Sequence, residues 1–309
     1  MNEQLVSLEA GPPPAVDNAA RDLSRPPATA LRQAVAGFAR DRGAVLALVI
    51  LVLIALVAVL APLIAPFDPN VGDPLNTLAP PLTAGHLLGT DDQGRDILSR
   101  ILYGARLAIP EATIPVIAAA VLGTALGLLA GFYQGIGGGL VMRVLDVFFA
   151  IPLVLLGIAV AAALGSGPPT VILSMAVVIT PYIARVVYTT TAQLKHALFV
   201  EAARASGSGE LKILVQEILP HAVPTVIVYG TINMGAMIVF AAGFGFLGLG
   251  AQPPASDWGA MIAYGMSNLG SSPWVSTVPG LVIVVASLAF NYVGDGLRIA
   301  LDPRLRSRA

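Results

Sequence analysis

The chain has 309 residues, of which 56% are hydrophobic and 11% are charged. In globular domains about a quarter of all residues are charged, so this composition indicates an integral membrane protein. Because the sequence has no cysteine, disulfide frameworks, thiolate metal sites and cysteine nucleophiles are excluded. The formal net charge of -1 decides nothing, since in a membrane protein the placement of charges matters more than their sum.

The N-terminal part of the chain precedes the first apolar run. Residues 1–30 are rich in proline, alanine and mixed charge, which is typical of a disordered tail. In residues 31–42, Leu31, Val35 and Phe38 fall near one helical face beside arginines. This pattern predicts an interfacial helix, or else a plain extension of the first span. The apolar run that follows is too long for the core of a cleaved signal peptide.

Six apolar segments are long enough to cross a bilayer, which takes roughly 20 residues as a helix. The first lies within residues 31–66, after the interfacial helix, and residues 67–106 form a loop. Residues 107–300 hold the other five spans as one core, and residues 301–309 form a short tail. The predicted core spans lie in residues 107–133, on either side of Gly165–Pro169 within 147–184, and in 218–256 and 258–294.

The arginines and lysines fix the predicted orientation of the spans. If the N-terminus is inside, 14 of the 17 basic residues fall in inner segments and only Arg95, Arg100 and Arg106 fall in outer ones. Such a bias marks the cytoplasmic side. The sequence therefore predicts an all-α integral membrane protein with six transmembrane helices, both termini in the cytoplasm and residues 67–106 outside.

Motifs for catalysis are missing from the sequence. The histidines His86, His196 and His221 are scattered, and neither HExxH nor GxSxG occurs. The phosphate-binding pattern GxxxxGK[ST] is also missing, which argues against ATP binding by a P-loop of this chain. We expect a protein that is not an enzyme.

Small residues repeat along the second span. Gly123, Gly127 and Gly131 recur every fourth residue, which allows another helix to approach closely in lipid. Helix packing within the chain is favoured over a specific dimer contact.

Other residues in or near the spans have two interpretations. Asn233, Met234 and Met237 could line a pathway, methionine being an adaptable contact residue, or could simply pack. Arg143 and Asp146, three residues apart, can pair on one helical face.

A compact charged segment interrupts the apolar chain at VEAARASGSGELKILVQEILPHAVP, residues 200–224. Gly207 and Gly209 predict a sharp turn between two short helices, with Ser206 or Ser208 as the cap of the second helix. Pro220 is predicted to end that helix, whose apolar residues share one face. They are Leu211, Leu214, Val215 and Ile218.

The charges of this segment favour a protein partner over a lipid surface. Lipid headgroups attract polybasic segments, but here Lys195, Arg204 and Lys212 are matched by three glutamates. We therefore expect the helix–turn–helix to dock into a soluble protein on the cytoplasmic side.

The segment resembles the EAA loop of ABC importer membrane subunits in EAA at residues 201–203, Gly207 and ILP at residues 218–220. Further blocks resemble the second permease of dipeptide and oligopeptide importers, a type shared with nickel and glutathione permeases. These are HLLGTDDQGRDILSRILYGARL from His86, DVFFAIP from Asp146, FGFLGLGAQPPASDWGAMI from Phe244 and PGLVIVVASLAFNYVGDGLRIALDPR from Pro279. Ser206, Glu217 and His221 depart from residues common in that family.

The resemblance implies a type I ABC importer permease fold in the prokaryotic inner membrane and a division of labour. The EAA loop, about residues 191–222, would couple the spans to two ATP-binding subunits, which hold ATP and Mg²⁺. A homologous second permease is expected across the glycine-lined interface, and an extracytoplasmic binding protein would deliver di- or oligopeptides. No cofactor in this chain and no nucleic acid are expected. The implied coupling residues are Glu201, Ala202, Ala203, Arg204 and Gly207.

Two alternatives stay open at this point. The same type of permease could import nickel or glutathione, since the motifs are shared. An ion-coupled secondary transporter could instead use Glu111, Asp146 or Asp295 as ion-linked carboxylates. ATP dependence of uptake separates the second alternative from the importer.

Overall fold

A computed structural model describes residues 35–83 and 85–301. The tail predicted for residues 1–30, the start of the helix predicted from Leu31 and residues 302–309 lie outside the described residues. In the described part every regular element is helical, apart from two isolated bridges in the loop after the first helix. In chain order the helices are α1 Arg42–Ile64, α2 Ile97–Phe132, α3 Ile136–Phe149, α4 Leu153–Leu164, α5 Pro168–Leu194, α6 Leu198–Ala205, α7 Glu210–Phe246, α8 Trp258–Gly265 and α9 Trp274–Leu301.

Five of these helices are long and apolar enough to cross a membrane, namely α1, α2, α5, α7 and α9. A sixth crossing arises only if α3 and α4, which meet at a bend of 91°, are counted as one broken span. The predicted number of six spans is reached when this pair is counted as one crossing, and the third span is then broken by the bend. The bend lies at Ile151 and Pro152, where proline cannot donate the backbone hydrogen bond that a continuing helix needs.

Two predicted boundaries also shift. α2 begins at Ile97, ten residues before the predicted span, because Asp96 caps it by accepting a hydrogen bond from the Ser99 N–H. The outer loop therefore ends at Asp96 and not at Arg106. The last predicted span divides, since residues 258–265 form the separate helix α8 and the spanning helix begins at Trp274.

The first spanning helix is a separate element from the helical residues 35–40. Asp41 lies between them and accepts hydrogen bonds from the N–H groups of Gly43 and Ala44, so it caps α1. Phe38 packs with Ala289, Val293 and other apolar residues of α9. The chain thus breaks at Asp41, and the alternative of a plain extension of the span is wrong for these residues.

The glycine repeat of α2 packs closely against α5. A Cβ atom on Gly127 would lie 2.5 Å from the carbonyl oxygen of Ala184, and one on Gly131 would lie 2.8 Å from Cβ of Thr191. A Cβ atom on Gly123 would lie 3.0 Å from the backbone nitrogen of Ala184 in the same helix, α5. These positions are filled within the chain, so the expectation that a second permease packs across this stripe is wrong.

The bent pair of helices is tied to α5 by a charged contact. Asp146 of α3 forms a salt bridge with Arg185, which also lies 5.2 Å from the ring centroid of Phe149. The predicted pairing of Asp146 with Arg143 does not occur, because α5 brings the Arg185 guanidinium to the same carboxylate. Arg185 itself lies within α5, nine residues before the helix ends, and not in a loop.

The outer loop is held to α2 by a buried arginine. Arg100 is 2% exposed, and its guanidinium donates to the carbonyls of Pro69 at 2.8 Å and Ala255 at 3.3 Å. Its Nε atom lies 3.7 Å from a carboxylate oxygen of Asp91. Two loops distant in sequence thus converge on one side chain of α2.

We expect Arg100→Met to lower the free energy of unfolding by about 3 kcal/mol or more. The variant would leave buried backbone carbonyls without their donor and would remove a positive charge close to the Asp91 carboxylate. Thermal unfolding in detergent measures the loss. The matched control is Arg106→Met, an exposed arginine of the same helix, for which a change of about 0.5 kcal/mol or less is expected. Equal losses in the two variants would contradict the central role of Arg100.

Candidate functional site

The predicted helix–turn–helix lies at the junction of α5 and α7. We call residues 195–218 the EAA element. It begins at Lys195, directly after α5, continues through α6 and a turn, and enters α7 at Glu210. Both flanking helices are spans, so the element joins two membrane-crossing helices directly.

The turn after α6 is a Schellman motif. Gly207 has φ +78°, in the left-handed region that favours glycine, and its N–H donates to Arg204 O at 3.0 Å. The Ser208 N–H donates to Ala203 O at 3.1 Å, which satisfies a second orphan carbonyl. Gly209 has φ -66°, which any residue adopts. The turn thus depends on Gly207, whereas Gly209 has no such requirement.

Two details of the predicted turn are wrong. Neither serine caps the second helix: the Ser206 hydroxyl donates to Ala202 O of its own helix, and Gly209 at the cap position has no side chain. Pro220 does not end an element either, because α7 runs unbroken from Glu210 to Phe246. Residues Ile213–Ile218 form a π-helical turn just before this proline. The wider turn makes room for the ring, which would otherwise crowd the carbonyl four residues earlier.

The π turn also changes which side chains face inward. Ile213, Leu214 and Ile218 are buried and pack with Val200 of α6. Leu211 and Val215, predicted on the buried face, are 70% and 49% exposed. The wider π turn changes the direction of Val215 from that expected for 3.6-residue spacing, whereas Leu211 lies before the turn at the exposed start of α7.

The opposite face of α6 carries the residues singled out as coupling residues. Glu201, Ala202, Arg204 and Gly207 are exposed, and Ala203 is half-buried. Val200, fully buried beneath them, anchors the helix to the π turn. Leu198 adds an apolar side chain, 83% exposed, at the start of α6. The result is a small surface of mixed apolar and charged character on a helix held from behind.

The residues that depart from the family pattern find local partners. The His221 ring stacks on Phe199 with centroids 4.9 Å apart, and its Nδ1 lies 2.7 Å from Glu217 O. This pair joins the start of α6 to α7. His221 is therefore part of the support of α6 and not of its exposed face.

Two contacts that the sequence did not reveal join the EAA element to the end of α2. The Lys195 ammonium donates to Phe132 O at 2.6 Å. Partial burial raises the pKa of Tyr133, as do the negative charge of Glu210 and a side-chain hydrogen bond to it. No sequence spacing links residues so far apart, so only the fold could bring them together.

Of the three residues predicted to line a pathway, two are half-buried and one is buried in the core. Asn233 and Met234 are half-buried, and the Asn233 amide donates to Tyr229 O of its own helix. Met237 is 2% exposed and lies among Met175, Phe240 and neighbouring core residues. Met237 therefore belongs to the core of this chain, and only the other two are reachable from its surface.

A buried pair of carboxyl groups lies between α2 and the start of α8. Glu111 is 4% exposed and shares a void of about 10 Å³ with Asp257. Burial raises the pKa of Asp257, while hydrogen bonds from the N–H groups of Ala260, Gly259 and Ala251 oppose this shift. Within the described residues, no group of three or more His, Asp or Glu side chains is placed to hold a metal ion.

Comparison with known proteins agrees with this architecture. A family described as binding-protein-dependent transport system inner membrane component matches residues 123–307. A second one, the N-terminal TM domain of oligopeptide transport permease C, matches residues 29–81.

Curated relatives extend the likeness over most of the chain. The glutathione transport system permease protein GsiD of Pectobacterium atrosepticum is 40% identical over 87% of this chain and 90% of its own length. The di/tripeptide transport system permease protein DppC of Pseudomonas aeruginosa is 38% identical, over 88% and 91%. The dipeptide transport system permease protein DppC of Haemophilus influenzae is 38% identical, over 92% and 98%.

Among solved structures, a chain of the MetNI methionine ABC transporter in an inward-facing conformation has the same fold. The TM-score is 0.53 at 21% identity, and the likeness covers 65% of this chain and 96% of that one. The fold is thus that of a type I ABC importer permease. The chain belongs to the binding-protein-dependent transport system inner membrane components, the multi-pass inner-membrane permeases of ABC importers.

Proposed function

We propose that this chain is the second permease of a peptide importer and that α6 is its coupling helix. The observation that carries the coupling role is the geometry of α6: its outer face exposes Glu201, Ala202 and Arg204, while Val200 fixes its back. A helix presented in this way fits a groove of a soluble partner. The partner is an ATP-binding subunit, present in two copies.

The energy source follows from this assignment. ATP and Mg²⁺ are bound and ATP is hydrolysed by the partner subunits, so this chain is non-catalytic. Closure of the two ATP-binding subunits moves α6, and α5 and α7 move with it. Access to the pathway then alternates between the two sides of the membrane.

The pathway requires a second, homologous permease. A cleft of about 360 Å³ between α1, α2 and α9 is lined by aliphatic side chains and Trp258, which offer no polar partners to a peptide backbone. The second permease must lie away from the glycine stripe, which α5 already fills. The outer loops, centred on Arg100, receive substrate from an extracytoplasmic binding protein.

The substrate class is small peptides, including tripeptides such as glutathione. This choice rests on relatives of about 40% identity over most of the chain, which are di/tripeptide and glutathione permeases. The nickel alternative has no such relative among these three.

Charge reversal at Glu201 tests the coupling role. In the importer reconstituted with its partner subunits, Glu201→Lys is expected to weaken co-purification of the ATP-binding subunits and to lower uptake by about tenfold, a typical coupling loss. Asp295→Lys makes the same change at an exposed residue of α9, outside the EAA element, and is expected to behave as wild type. Wild-type coupling in Glu201→Lys would refute the role of α6.

The same control separates the importer from an ion-coupled transporter. If Asp295 were an ion-linked carboxylate, the Asp295→Lys variant would lose uptake. The wild-type protein would also take up substrate without ATP. We expect neither result.

The turn at Gly207 is the second test. Gly207→Ala places a side chain at φ +78° and is expected to cost about 1–2 kcal/mol locally, which raises hydrogen exchange of the Ser208 amide about tenfold. Gly209→Ala is the control, since its φ of -66° suits alanine and its site is open. Equal exchange in both variants would show that the turn does not depend on Gly207.

The substrate class can be tested by competition. Uptake of a labelled dipeptide by cells that carry the complete importer should fall when unlabelled di- or tripeptides, glutathione among them, are added in excess. Nickel ions at the same concentration should leave uptake unchanged. Competition by nickel alone would assign the chain to the metal-importing relatives of the family.

A further inference from the structure

The inner end of α2 meets the EAA element at two adjacent residues. Lys195, which begins the element, donates to Phe132 O at 2.6 Å, and its ammonium lies 5.6 Å from the Phe132 ring centroid. Glu210, which follows the turn, lies near Tyr133, where partial burial and the Glu210 charge raise the pKa of the phenol. Lys195 is thus hydrogen-bonded to the last residue of α2, which lies more than 60 positions earlier in the chain.

The contact of Lys195 with α2 stabilises the C-terminal end of that helix. The last four carbonyls of a helix have no partner within it, and they carry the negative end of the helix dipole. Phe132 is the final residue of α2 and is 2% exposed, so its carbonyl is little hydrated. A lysine ammonium supplies both the missing donor and the opposite charge.

The attachment matters because of where α2 leads. A helix of 36 residues is about 54 Å long, more than the thickness of the hydrocarbon core. At its other end Asp96 caps it and Arg100 gathers the outer loops. Movement of α6 reaches α5 and α7 through the chain itself. At this end α2 is contacted by α5, where Gly131 meets Thr191, and by Lys195, the residue that joins α5 to the EAA element.

We propose that Lys195 is a positioning residue that transmits displacement of the coupling helix to α2, and through α2 to the outer loops. The proposal rests on the proposed function, since it takes α6 as the coupling helix. It assigns a role to a lysine outside the five coupling residues. Lys195 is half-buried against α2, whereas Lys212, the other lysine of the chain, is exposed.

The experiment uses the complete importer in proteoliposomes, with its partner permease, ATP-binding subunits and binding protein, and a labelled dipeptide as probe. Lys195→Met keeps the length of the side chain but removes the donor and the charge. We expect uptake per ATP hydrolysed to fall by about tenfold while the ATP-binding subunits stay bound. Lys195→Arg, which retains a charged donor, should restore most of the uptake.

Two further variants complete the design. Arg298→Met, at an exposed residue of α9 outside the EAA element, is the control, and it should transport as the wild type does. Lys195→Gln keeps a neutral donor but removes the charge, and it should lower uptake per ATP in the same direction as Lys195→Met. It provides the measurement if Lys195→Met fails to fold.

Three outcomes would overturn the proposal: unchanged uptake in Lys195→Met, loss of ATP-binding subunits from that variant, or failure of Lys195→Arg to restore uptake. The proposed function is tested separately. If Glu201→Lys uncouples the importer and Lys195→Met does not, only the role of Lys195 is lost. If Glu201→Lys couples normally, the assignment of α6 itself fails.

Discussion

The close packing of α2 against α5 is the constraint on which the rest of the structure depends. At Gly127 the two backbones approach until a single Cβ atom would lie 2.5 Å from the Ala184 carbonyl oxygen. Lipid tails are as apolar as leucine, so close contact between small residues takes the place of a hydrophobic driving force between helices. Because α5 runs directly into Lys195 and α6, this packing also fixes α6, the proposed coupling helix, relative to α2.

The two ends of α2 use the same chemistry for different purposes. At the outer end the Arg100 guanidinium donates to the carbonyls of Pro69 and Ala255 and so joins two loops. At the inner end the Lys195 ammonium donates to the carbonyl of Phe132. In both places a cation donates to backbone oxygens, and losing a hydrogen bond in a buried setting is costly. A helix with such attachments at both ends is suited to transmit displacement along its length.

The features that could be predicted from sequence are those set by local chemistry. Apolar length located five spans, and Gly207 located the turn, because a positive φ is a property of one residue. The failures involve contacts between distant residues. Asp146 pairs with Arg185 and not with its neighbour in sequence, and the two contacts at the end of α2 join residues more than 60 positions apart. Periodicity also failed at the π turn, where one extra residue per turn moves every later side chain.

That π turn has a consequence for the partner surface. It leaves Val215 exposed near Leu211, which lies just before the turn, and Leu198 at the start of α6 is also exposed. Apolar side chains beside Glu201 and Arg204 favour a protein groove over a lipid surface, because headgroup binding would require a surplus of basic residues. Burial of three such side chains in a partner would contribute about 1.5–3 kcal/mol each. Charged residues at the margin would then set orientation, and the apolar residues would supply most of the affinity.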